Sequence, residues 1–202
     1  MNDFQLVNPE NPDLCDPSKS QWYLDHLLAE HIVEWAMSGI TEHPSELRAL
    51  EPSAGRGALA MPLRAYFGKV VCCEIDPQNA EYLVRCGFET YTTDFLKLDT
   101  RQVAPFELAV MNPPFEGGQT EEHILHALKF CDRVVCHCPL TTLAGQERRK
   151  GLWSQVTLER LVIHASRPKY SGSKTGGATD MVTINVTPDY EDGVRTQIEW
   201  WA

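Results

Sequence analysis

The sequence predicts an α/β protein in which one mostly parallel sheet carries helices on both faces. Three observations predict it. Short apolar runs alternate with longer amphipathic ones along most of the chain. Several of those apolar runs end in a residue with chemistry to offer rather than in a plain turn. Finally, 202 residues at 43% hydrophobic content can bury one substantial core but not two comfortable ones.

Each element can be justified in order. Residues 1–20 are rich in Asn, Asp and Pro without sustained periodicity, and read as an extended or partly disordered arm. The remainder, 21–202, reads as a single domain with no separate recognition domain. From Trp22 to Met37, Leu24, Leu27, Leu28, His31, Ile32 and Trp35 recur at helical spacing until Ser38-Gly39 ends the pattern. Strands are expected at Arg48–Pro52, Val70–Asp76, Glu89–Thr92, Leu108–Asn112, Arg133–Cys138, Leu161–Ala165 and Met181–Thr187. Helices are expected at Ala58–Phe67, Gln78–Cys86, Glu121–Phe130 and Leu143–Val156. The connection from Ser166 to Asp180 is rich in Gly, Ser and Lys rather than helical, so the last two strands should pair antiparallel. The expectation is a seven-stranded sheet.

The net charge of −10 argues against a generally adhesive nucleic-acid binder, yet the charge is unevenly spread. Residues 1–51 hold ten Asp or Glu against Lys19 and Arg48. In contrast, Arg148, Arg149, Lys150, Arg160, Arg167, Lys169 and Lys174 face only Glu159 in their stretch. That composition suits either a solvated face or contacts to an anion such as phosphate. The seven cysteines (Cys15, Cys72, Cys73, Cys86, Cys131, Cys136, Cys138) lack Cys-x-x-Cys spacing and mostly fall in apolar runs, which reads as buried reduced thiols. Cys136-His137-Cys138 puts alternate residues on opposite faces of a strand, a poor chelate, so no metal is expected. The start of the chain lacks signal-peptide character and no segment approaches membrane-spanning length, so a soluble, cytoplasmic protein is expected.

The chemistry concentrates in four places. Asn112-Pro113-Pro114-Phe115 closes the apolar run Phe106 to Met111, where a buried strand opens into a loop. An Asn amide oxygen and a proline-held carbonyl can each accept one N–H of a planar exocyclic amine, and an aromatic ring nearby can stack on the same group. This arrangement holds an amino group while its nitrogen attacks an electrophilic methyl. Gly117-Gly118 just beyond places Phe115 in an exposed, mobile position. Upstream, Glu51-Pro52-Ser53-Ala54-Gly55-Arg56-Gly57 joins the first strand to a helix, which is where an open α/β sheet binds a nucleoside. Gly55 and Gly57 permit a tight turn there, although Ala60 stands near the third glycine of the dinucleotide fingerprint and no Gly-Lys-Ser/Thr follows. Glu74, ending the second strand, can accept bonds from two ribose hydroxyls, with Ile75 as an apolar wall for an adenine ring. Asp94, before Phe95, can accept from an exocyclic amine. Singly these are a turn, a surface acid and a helix cap; together they mark successive strand ends on one rim.

In this order the residues resemble the class I S-adenosylmethionine-dependent methyltransferases, specifically the amino-methyltransferases with an Asn/Asp-Pro-Pro-Phe/Tyr motif. The similarity covers most of the chain. It is nearest to N6-adenine DNA methyltransferases of small bacterial and phage type, and Arg167-Pro168-Lys169-Tyr170 and Thr179-Asp180-Met181 resemble late segments of some of them. The resemblance implies a Rossmann-like fold and S-adenosylmethionine as cofactor. It implies that Glu51, Ser53, Ala54, Gly55 and Gly57 surround the cofactor's methionine part, Glu74 its ribose, and Ile75, Asp94 and Phe95 its adenine. Asn112, Pro113, Pro114 and Phe115 are then catalytic, with Asn112 also beside the cofactor. Many members carry Thr-Pro near the first helix, where this chain reads Trp22-Tyr23-Leu24-Asp25, which makes Tyr23 the candidate for that wall.

The expected activity is transfer of methyl to the N6 amine of adenine in DNA, with Arg148, Arg149, Lys150, Arg167, Lys169 and Lys174 as candidate nucleic-acid contacts. RNA adenine or a protein glutamine amide presents the same planar NH₂ to the motif, and a non-catalytic module of the same fold is the alternative outside enzymes. Small size disfavours strong sequence selectivity unless an oligomeric partner supplies it.

Overall fold

The computed structural model describes residues 24–38, 40, 46–103, 105–167, 179–190, 193 and 195–201. The expected arm, Cys15, Tyr23, Lys169 and Lys174 lie outside the described residues.

Helix α1 (His26–Met37) starts where Asp25 accepts the Leu27 N–H at 3.0 Å. Then follow β1 (Arg48–Glu51), α2 (Ala60–Leu63), β2 (Lys69–Glu74), α3 (Pro77–Arg85) and β3 (Glu89–Thr92). Asp76 caps α3 through the Gln78 N–H, with Pro77 in the first turn, where its missing N–H costs nothing. Next come α4 (Thr100–Val103), β4 (Leu108–Met111), α5 (Gln119–Ala127), β5 (Val134–Pro139), α6 (Gln146–Gly151), β6 (Val156–His164), β7 (Met181–Pro188) and β8 (Gln197–Trp201).

The strands form one sheet in the order β3-β2-β1-β4-β5-β7-β6-β8. Strands β1 to β5 run parallel, and β7 lies antiparallel between β5 and β6 as the helix-free connection predicts. Among the described residues the count is eight rather than seven. β8 adds to the outer edge of β6 in parallel, pairing Arg160 with Gln197 through His164 with Trp201. Its five residues are mostly exposed or half-buried, so the sequence carries no apolar run to announce it.

Further boundaries differ. β6 begins at Val156, not Leu161, and the expected helix Leu143–Val156 contracts to Gln146–Gly151. A bulge between Leu158 and Arg160 breaks the strict alternation that would have signalled the longer strand. The helix expected at Ala58–Phe67 keeps regular form over Ala60–Leu63 and continues as turns.

Alternate strand residues feed two apolar clusters. Leu50, Val71, Ala109, Met111, Val134 and Ile184 meet α5 and Leu152 on one face. Ala49, Val70, Leu108, Val110 and Val135 meet α1, α2 and α3 on the other. Cys72, Cys73, Cys131, Cys136 and Cys138 are buried free thiols within this core. Among the described residues, no helix is long and apolar enough to cross a membrane.

Because β1 and β4 are neighbours, the chain leaves β1 toward one side of the sheet and later returns beside it on the other. A crevice opens outside the carboxyl ends of strands at such a switch point.

Candidate active site

A pocket of about 210 Å³ occupies that crevice. It is lined by Glu51, Ser53, Ala54 and Gly55 after β1, Glu74 and Ile75 after β2, Asp94 and Phe95 after β3, and Asn112 to Phe115 after β4. The predicted residues from four strand ends thus come together in one cavity, with Gly57 the exception among the described pocket candidates. Gly57 works from behind the wall. Its N–H reaches the Ala54 carbonyl at 2.7 Å, its φ is +80°, and a Cβ there would stand 3.0 Å from Leu83 Cδ2.

Glu51 is 2% exposed, and its Oε2 has no hydrogen-bond partner among the described residues; neither has the buried Ser53 Oγ. Burial pushes the Glu51 carboxyl well above the usual range, and the nearby Glu74 charge adds to this, against a backbone hydrogen bond from Ala60. The free oxygen of a carboxyl so placed can accept a hydrogen bond from a cationic or N–H-bearing group.

Glu74 is differently provided. Its Oε2 accepts the Gly55 N–H at 2.6 Å and its Oε1 accepts the Asp76 N–H at 2.8 Å. Burial raises its pKa while these donors and the Asn79 side chain oppose the rise. The carboxylate is therefore fixed in orientation, and each oxygen retains a lone pair for a hydroxyl donor. Arg56 Nε bonds Asn79 Oδ1 at 3.3 Å, so a chain of side chains steadies Glu74 from outside. Asn79 lies outside the local motif, and only its place one turn into α3 brings it to the pocket.

Asp94 caps the 3₁₀ turn Phe95–Lys97 through the Leu96 N–H at 3.0 Å and pairs with Lys97 at 3.3 Å. It is both a cap and a pocket residue. Ile75 stands 68% exposed over the opening, whereas Phe95 is 3% exposed and packs against Phe130, His123 and His126. An apolar wall and an aromatic floor thus flank this part of the pocket.

At the other end, Pro113 is buried while Asn112, Pro114 and Phe115 are half-buried. Phe115 is thus half-buried rather than exposed as expected, and it lines the pocket. The turn is tethered by Thr120, whose Oγ1 donates to the Pro114 carbonyl at 3.1 Å. Gly117 and Gly118, at φ +64° and +82°, make the reversal into α5. Gln119 and His123, one turn apart on α5, supply pocket wall that the sequence reading missed. Helical spacing from the motif is the signal that could have found them.

Among the described residues, the basic candidates do not form one free face. Arg148 pairs with Glu121 of α5, Arg167 with Asp180 at 2.9 Å, and Arg149 lies over the Tyr190 ring at 5.5 Å. Arg160 is structural, bonding the Ser38 carbonyl at 2.7 Å and Glu199 at 3.2 Å over Trp35. Lys150 is exposed. Arg167 follows β6, which runs in the same direction as β4, so it stands on the pocket's rim of the sheet.

The donor set fits S-adenosylmethionine: a buried acid with one unpartnered oxygen can take an ammonium group, an oriented carboxylate can take ribose hydroxyls, and Ile75 and Phe95 can flank a purine. No protein-family model matches the chain, and no curated protein sequence matches it. Solved structures do. A candidate RNA methyltransferase from Pyrococcus horikoshii superposes with a TM-score of 0.67 at 17% identity, over 84% of this chain and 88% of that one. The 23S rRNA methyltransferase ErmE gives 0.59 at 21% identity, over 84% and 70%. Magnesium protoporphyrin IX methyltransferase from Synechocystis, solved with bound S-adenosylmethionine, gives 0.61 at 11% identity, over 80% and 78%. The fold of this chain is the Rossmann-like fold of these methyltransferases.

Proposed function

We propose that this chain is an S-adenosylmethionine-dependent methyltransferase acting on the exocyclic N6 amine of adenine, with DNA as its substrate. The observation that carries the reading is the single pocket in which the Asn112–Phe115 turn faces the acids of three other strand ends.

In this reading Glu51 and Ser53 receive the ammonium group of the methionine part, Glu74 holds the ribose, and Ile75, Asp94 and Phe95 enclose the adenine. The bound cofactor supplies an activated methyl carbon. The chain's own work is to hold and orient the amine. Adenine N6 is a weak nucleophile because its lone pair is delocalised into the ring. Accepting its two N–H bonds at the Asn112 amide oxygen and the Pro113 carbonyl favours a tetrahedral nitrogen and stabilises the charge that develops on it. Thr120 keeps the turn in place, so these acceptors need not reorganise during the reaction. Phe115 offers a stacking surface to a base removed from its helix. The displaced proton passes to solvent.

DNA is favoured by the closeness of Asn112-Pro113-Pro114-Phe115 to the DNA amino-methyltransferase motif. An RNA adenine is the second reading, favoured by the two RNA-directed enzymes among the structural relatives. Methyl transfer from labelled S-adenosylmethionine to double-stranded DNA, single-stranded DNA, RNA and a protein extract separates the cases. Label recovered as N6-methyladenine from DNA supports the proposal; label in RNA or protein alone overturns the substrate. Cofactor binding with no label anywhere favours the non-catalytic module.

A further inference from the structure

His123 is a pocket residue that none of the predicted motifs contains. It sits on α5 with 5% of its surface exposed, and it lines the cavity beside Phe95, ring centroids 5.6 Å apart and planes inclined by 36°. Its Nδ1 lies 2.7 Å from the Gln119 carbonyl, one turn earlier. A carbonyl can only accept, so the proton resides on Nδ1 and Nε2 carries a lone pair. Burial lowers the ring's pKa more strongly than the Gln119 carbonyl and the Asp94 charge raise it, so Nε2 stays an acceptor near neutral pH.

The neighbours decide what that acceptor can read. Asp94 and Phe95, which the cofactor reading places around the adenine, line the same pocket. Asp94 already gives Oδ1 to the Leu96 N–H and Oδ2 to Lys97. The Asp94 charge acts on the His123 ring, so a second acceptor shares the pocket with a carboxylate that is partly committed to its own turn.

We propose that His123 is a specificity-determining residue, presenting Nε2 as a hydrogen-bond acceptor to the exocyclic amine of the bound adenosyl group. The proposal rests on the cofactor reading above. Two acceptors at that position admit a 6-amino purine and reject a 6-oxo purine, whose oxygen would face lone pairs and leave them unmatched. If His123 served packing alone, it would support both purines equally.

Calorimetric titration of S-adenosylhomocysteine and of its deaminated form, S-inosylhomocysteine, tests this. Wild-type protein should prefer the adenosyl ligand by at least about tenfold. His123→Phe keeps a ring against Phe95 but removes the acceptor. It should weaken the adenosyl ligand roughly fivefold to tenfold without weakening the inosyl ligand, which loses one opposing lone pair. His123→Gln, which retains an acceptor oxygen, should recover most of the preference. In unsubstituted protein, the ¹⁵N resonance of His123 Nε2 should have pyridine-type character and shift with the adenosyl ligand but not with the inosyl one, a readout independent of variant folding. Equal weakening of both ligands by His123→Phe, no weakening of either, or an unmoved Nε2 resonance overturns the proposal. Failure of wild-type protein to bind S-adenosylhomocysteine overturns the cofactor reading itself, and this inference with it.

Discussion

Strands β1 to β4 and strands β6 and β7 are built to different ends. The first four are four to six residues long, all parallel, and each delivers a pocket residue at or just past its carboxyl end. β6 and β7 run for nine and eight residues, pair antiparallel, and carry polar side chains into the sheet's interior. There His137 Nδ1 and His164 Nε2 both reach Thr183 Oγ1, at 3.1 and 2.9 Å, and His164 packs edge-on against Trp201 of β8. The first half spends its strands on loops that hold a ligand; the second half uses length and cross-strand side chains to frame them. Damage to the first should cost binding and chemistry, and damage to the second should cost stability.

The sharpest break is Asn112→Ala. Removing the acceptor should lower methyl transfer roughly a hundred- to a thousandfold while the protein still melts as wild type and binds S-adenosylhomocysteine within about threefold. Loss of cofactor affinity in parallel with activity would move Asn112 from the target amine to the cofactor.

Glu74→Gln should raise the Kd for S-adenosylhomocysteine about tenfold in calorimetry, because a neutral amide bonds ribose hydroxyls more weakly than a carboxylate. The Gly55 and Asp76 N–H groups that Glu74 accepts are backbone groups, so the same variant should also loosen the glycine loop. Hydrogen exchange at Gly55 reads that loosening.

In the second half the expected effect is on stability. Burial holds the His164 imidazole down at about 4, against 6.5 for the free group, and pushes His137 down as well. Protons bind the unfolded chain first as pH falls. The neutral network is thus fully stabilising above about pH 6.5 and is progressively lost towards pH 4. The melting temperature should drop by several degrees between those values. His164→Gln should flatten that slope; an unchanged slope would remove the network from the account.

The smallest effect is expected for Arg149→Ala with Lys150→Ala. If this surface meets phosphate, nucleic-acid affinity should fall by a few fold and the salt dependence should become shallower, with cofactor affinity unchanged. Arg148 is a poor choice for this test because its pairing with Glu121 joins α6 to α5.

The sequence by itself determined the α/β class, the core strands and the pocket's principal residues. Those residues sit in short local patterns where an apolar run meets a turn: Glu51 to Gly57, Glu74-Ile75, Asp94-Phe95 and Asn112 to Phe115. Each pattern is legible because the strand that buries it and the loop that exposes it are adjacent in the chain. Tertiary structure alone decided the rest. β8 has no apolar run of its own and exists because β6 offers it an edge. The bulge at Leu158 hid the start of β6. Asn79, Thr120 and His123 enter the site because helices beginning at the motif ends turn these residues back toward the crevice. Arg160, which composition grouped with a basic face, is claimed by Ser38 and Glu199 from distant parts of the chain. Local pattern reports what a residue can do; contacts between residues far apart in sequence decide which of its possible partners it meets.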